Sequence, residues 1–172
     1  MQFLTSEQCG LWAAQHGFPF SGPPDRESLE AEGYRSTEFE IPTDAGRRVA
    51  LARLLWEAGA RNRPESLLWI MEWSVWPSGE HLPLALALRS AFGGNRTLRE
   101  APGHLFRSDE DDAGLSFLVV SLLFLWDACL LSASGDLAVV LSHDEYGSAF
   151  ARTPDVWLPL EKRLAAFRGP AE

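Results

Sequence analysis

Cysteine is scarce in this chain: two among 172 residues, at positions 9 and 129. They match no disulfide framework, and neither belongs to a C-x-x-C pair, so a bridged scaffold and a thiolate metal motif are both excluded. Cys129 lies in an apolar run and reads as a small buried hydrophobe. A reducing cytoplasm is the compartment this usage suits. Basic residues are also short. Fifteen Lys and Arg face 24 Asp and Glu, giving a net charge of −9 and a pI near 4.9. Proteins that grip a phosphate backbone cluster Lys and Arg, so nucleic acid is excluded as a partner class. A basic protein, steered by charge, is the partner this balance fits.

Long apolar runs are missing too. The longest, residues 115–126, contains two serines and falls short of the roughly 18 residues a spanning helix needs, so no membrane segment is expected. The opening MQFLTSEQCG lacks a basic stretch followed by an apolar one, and no signal peptide is expected. Catalytic motifs are absent as well: no H-x-x-x-H, no H-E-x-x-H, no G-x-S-x-G, no Walker sequence and no dinucleotide fingerprint. His16, His81, His104 and His143 are scattered, so neither a metal nor a cofactor is expected.

What is present is ordinary globular material. The composition is 46% hydrophobic and 23% charged, and the length suits one domain, residues 1–172, with a real core. Thr5-x-x-Gln8 is a capping box that predicts a helix over 6–16, with Gly17 as its stop. Residues 18–28 read as loop, and 25–33 as a short exposed helix or irregular chain. Residues 35–41 alternate with Thr37, Phe39 and Ile41 on one face, an edge strand. Thr43 is expected to cap a helix over 44–58. Residues 67–75 read as a central strand, with Ser78 capping a helix to Phe92 that Gly93-Gly94 ends. Residues 95–107 carry no clear pattern and suggest an irregular loop. Four acidic residues at 109–112 favour a helix N-terminus, opening a largely buried helix over 110–122. Strands over 124–132 and 137–142 should form a hairpin within residues 123–142, turning at Ser134-Gly135. A final helix runs from Thr153 to Phe167. The order implies an α+β domain: a mostly antiparallel sheet of about four strands with helices packed on it. The seven tryptophans suit core and rim packing.

Three polar groups stand out as catalytic candidates. Asp127 sits inside LWDAC and Glu72 inside LLWIMEWSV, carboxylates in strands with no partner nearby in sequence. If those strands are neighbours, the two can share a pocket and divide acid and base roles. His143 is the third. A two- or four-residue hairpin connection sets Asp127 opposite Ser142 and Trp126 opposite His143. The run Ser142-His143-Asp144-Glu145 also reads as S-x-x-E, the capping box of a new helix. Asp109, Glu110, Asp111, Asp112, Asp144 and Glu145 are the acidic residues expected to meet a partner, and residues 27–32 are acidic as well.

The pattern FLWD-x-C-L-L followed by GDLAVVLSHDEY resembles, over residues 123–146, small acidic bacterial cytoplasmic α+β proteins of unassigned biochemistry. Some similar proteins are immunity proteins that neutralise toxins by direct binding. The resemblance implies no catalytic residues. Two functions therefore stand as expectations. One is a non-enzymatic binding protein directed at a basic partner. The other is a small enzyme built on Glu72, Asp127 and His143. Pairing of an exposed strand edge with a second copy stays open.

Overall fold

A computed structural model describes residues 1–61, 63–73, 75 and 82–168. The expected cap at Ser78, together with Trp76 and His81, lies outside the described residues. In chain order the elements are β1 (Gln2–Leu4), α1 (Ser6–Gln15), α2 (Arg26–Ala31), β2 (Arg35–Glu40), α3 (Ala45–Gly59), β3 (Glu65–Glu72), α4 (Leu82–Ala91), β4 (Gly103–Arg107), α5 (Asp111–Leu123), β5 (Asp127–Ser132), β6 (Leu137–Leu141), β7 (Tyr146–Ala151) and α6 (Pro154–Leu164), which ends in a 3-10 turn at Ala165–Phe167.

The α+β class holds, but the sheet has seven strands rather than about four, all antiparallel, in the order β1-β4-β3-β5-β6-β7-β2. The extra strands come from segments with weak β signal. β4 lies in the stretch expected to be loop, and β7 is Tyr-Gly-Ser-Ala-Phe-Ala. Small residues favour no strand by themselves; β7 is one because β6 and β2 pair with its two edges.

Helices cover both faces of the sheet. On one, α3, α5 and α6 bury Leu51, Leu55, Phe117, Leu122, Leu160 and Leu164 against Leu68, Ile70, Ala128 and Leu130. On the other, α1 and the chain after it bury Cys9, Trp12, Phe18 and Leu29 against Leu67, Trp69, Cys129 and Leu131. Alternate residues of β3 and β5 thus feed opposite cores, the two-residue period of a strand. Both cysteines are free and buried, and burial pushes their thiols up, Cys9 to about 12.

Several local expectations are met. Thr5 and Gln8 exchange both capping-box bonds, and Gly17 follows the helix at φ 79°. β2 is an edge strand that buries Thr37 and Phe39. The β5–β6 register is the expected one, Ala128 facing Leu141 and Leu131 facing Ala138. Two caps differ. Asp44, not Thr43, caps α3, because its carboxylate accepts from Arg47 N–H at 2.8 Å. Ser142 caps no helix: residues 142–145 form the β6–β7 turn, closed by Ser142 N–H on the Tyr146 carbonyl at 2.9 Å. The Ser142 hydroxyl accepts from Asp144 N–H, and Glu145 turns the chain at φ 65°, which matches a three-residue hairpin loop.

Candidate functional site

Glu72, Asp127 and His143 meet at one end of the sheet. β3 and β5 pair residue for residue until Ile70 faces Ala128; the next pair is Glu72 with Asp127. Met71 is the extra residue of a β-bulge. Without it, Met71 would stand opposite Asp127. The bulge re-aims the strand end so that the carboxylate takes that place.

Asp127 is set by what precedes it. α5 ends with Trp126 N–H bonded to the Ser121 carbonyl and Leu125 N–H to that of Leu122, the two bonds of a Schellman motif. The residue in the left-handed position is Leu125, at φ 51°, where glycine is usual. β5 starts two residues later.

His143 reaches Asp127 from the β6–β7 turn. Its backbone N–H donates to Asp127 Oδ1 at 2.6 Å, and its ring Nδ1–H donates to the same oxygen at 2.8 Å. The sequence-derived register set His143 beside Trp126. The turn instead carries it onto Asp127, because the ladder stops at Ala128–Leu141 and the chain bends there. The other ring nitrogen lies 3.6 Å from Asp144 Oδ1. The side chains of His143 and Asp127 are about one-fifth exposed, at 23% and 21%, and Glu72 is exposed. His143 titrates above its usual range. The hydrogen bond to Asp127 is the main cause; partial burial opposes it, and the charges of Asp127, Asp144 and Glu72 add to it. Donor atoms of Glu72, Asp127 and His143 all lie within 4.8 Å of one another, and no other trio of His, Cys, Asp or Glu among the described residues converges in this way.

Arg48 ties the turn down. From α3 its guanidinium donates to the carbonyls of Leu122 and Leu123 at the end of α5 and to that of Pro42, and it meets Glu145 Oε1 at 3.4 Å. One cation thus holds the last carbonyls of α5 and the turn that bears His143.

The acidic residues fall into two groups. Asp109 to Asp112 lie at the N-terminus of α5, Asp144 and Glu145 beyond its C-terminus. The helix is 13 residues long, about 20 Å at the α-helical rise. Half of the first group is engaged. Glu110 takes the Met1 amino group and Arg107 N–H, and Asp111 accepts from Trp56 Nε1 at 3.0 Å. Asp109 and Asp112 are exposed. In the second group, Asp144 and Glu145 are exposed and line a concavity of about 510 Å³ with Glu40, Asp44 and Tyr146. Arg47 also lines it, but donates to the Ala166 carbonyl and stacks on Phe167. Tyr146 is half exposed, at 49%. Glu40, Asp44 and Tyr146 were missed in the sequence. The alternation of β2 does place Glu40 outward, but nothing local to Tyr146 shows that β7 pairs with β2 and brings the two together.

No family model, curated protein or solved structure matches this chain. Among the described residues, no helix is long and apolar enough to cross a membrane.

Proposed function

We propose that this protein is a non-enzymatic binding module that takes a basic segment of another protein into the concavity at the β6–β7 turn. The supporting observation is the lining itself: Glu40, Asp44, Asp144 and Glu145 around the half-exposed ring of Tyr146, with Arg47 the one cation among the described lining residues and Arg48 paired to Glu145 beside it. An exposed aromatic ringed by carboxylates suits a Lys or Arg side chain. The ring attracts the cation through its quadrupole, and the carboxylates supply steering and hydrogen bonds. The net charge of −9 acts in the same direction at longer range. An immunity-type role, in which a bacterial cytoplasmic protein neutralises a toxin by direct binding, is the biological form this chemistry fits.

A fluorescein-labelled Arg- and Lys-rich peptide, followed by anisotropy at low salt, tests the proposal. Glu40→Gln with Asp144→Asn is expected to weaken binding at least fivefold. Asp109→Asn with Asp112→Asn, at the other end of α5, leaves it within twofold. Equal losses in the two pairs would mean that net charge alone is being read and would defeat the assignment. Binding should fall steeply between 50 and 300 mM salt.

A second reading, a small enzyme built on Glu72, Asp127 and His143, is favoured by their convergence.

A further inference from the structure

We propose that Glu72, Asp127 and His143 form a binding site for one divalent transition-metal ion of the zinc class. The three donors come from separate strands and a turn, yet their donor atoms lie within 4.8 Å of one another. Ligands on a tetrahedral ion at about 2.0–2.2 Å stand about 3.4 Å apart. A contraction of at most about 1.4 Å therefore closes the set around an ion. Glu72 is the group free to move: it is exposed at the end of β3, and its carboxylate takes no hydrogen bond or ion pair from the described residues.

The donor chemistry selects the ion. One imidazole with two carboxylates suits zinc, manganese or ferrous iron, whereas calcium and magnesium favour oxygen donors alone. Three protein ligands leave a fourth position for water, the pattern of sites that polarise a bound molecule. The geometry around Asp127 also fits a ligand. Its Oδ1 accepts the His143 backbone N–H at 2.6 Å, a bond that persists when the ring turns to an ion. Such a bond fixes the carboxylate from outside the coordination shell, the part that supporting hydrogen bonds play around metals. The β-bulge at Ile70/Glu72 brings in the second carboxylate.

This inference does not rest on the peptide-binding proposal, and its test uses no peptide. Metal-stripped protein is titrated with Co²⁺, read by visible absorption, and with Zn²⁺, read by calorimetry and by competition against Co²⁺. The expected result is one ion per chain, with Mg²⁺ failing to displace Co²⁺. His143→Ala, Asp127→Asn and Glu72→Gln should each weaken Zn²⁺ at least tenfold, and Asp155→Asn, an exposed acid elsewhere, should leave it within twofold. If Asp127→Asn loses the fold by circular dichroism, Glu72→Gln still decides, because Glu72 is exposed at a strand end. No one-to-one binding at 1 mM Zn²⁺, or equal binding by wild type and Glu72→Gln, would overturn the site and leave His143–Asp127 as a structural pair.

Discussion

His104 is wholly buried beside Arg89, itself 1% exposed, with no carboxylate among the described residues bonded to either. The two stay compatible because the imidazole is neutral. Its Nδ1–H donates to the Pro102 carbonyl at 3.1 Å, and its Nε2 accepts from Arg89 at 2.8 Å. Desolvation, then the Arg89 charge, hold the ring pKa down to about 3, from an ordinary value of 6.5. Arg89 is also lowered, to about 10, again by burial, and remains charged at neutral pH. Between pH 6.5 and 3 the unfolded chain therefore binds a proton at His104 that the folded chain refuses. The stability this group contributes is complete above pH 6.5 and drains as pH falls, at up to about 1.4 kcal/mol per unit. Denaturant unfolding of His104→Gln at pH 7.5, 6 and 5 should show a shallower loss than wild type. Parallel losses would mean that His104 takes up a proton in the fold.

Among the helices, α3 and α5 pack most closely, and Gly114 permits it: a methyl group there would run into the Trp56 indole. Gly114→Ala gains about 1 kcal/mol of helix propensity. It should nonetheless destabilise, by up to about 2 kcal/mol net, because overpacking in the core costs about 1–3 kcal/mol. A melting temperature at or above wild type would show that the helices part without loss. Sequence signals were strong where the physics is local. The Thr5 and Gln8 capping box, the acidic start of α5 and the β5–β6 register are all written within a few residues of where they act. Signals failed where a partner element decides the outcome. β4 and β7 are strands because other strands pair with them, and Ser142 became part of a turn because β7 follows at once. The candidate site divides along the same line. Glu72, Asp127 and His143 stood out as polar groups in or beside apolar runs. The bulge that aligns two of them, and the bend that brings the third to Asp127 rather than Trp126, belong to the assembled sheet.

Across the whole molecule, the open edges of the sheet are β1, three residues long, and β2, which exposes Arg35, Glu38 and Glu40. Arg26 and Arg168 reach β2 from outside it, bonding Glu38 and the Thr37 hydroxyl. A short edge and a charged edge both discourage further pairing. Light scattering at 100 µM should therefore give the mass of one chain, 19.1 kDa; twice that mass would show that a second copy pairs after all. With the edges closed in this way, the concavity around Tyr146 is the surface we propose for a partner, and its location is the central claim. An amide ¹H–¹⁵N spectrum recorded during titration with an Arg- and Lys-rich peptide tests it most directly. The largest shifts are predicted at residues 40–47 and 142–146, with residues 107–112 unmoved. Shifts centred on residues 107–112, or spread evenly over every acidic surface, would contradict it.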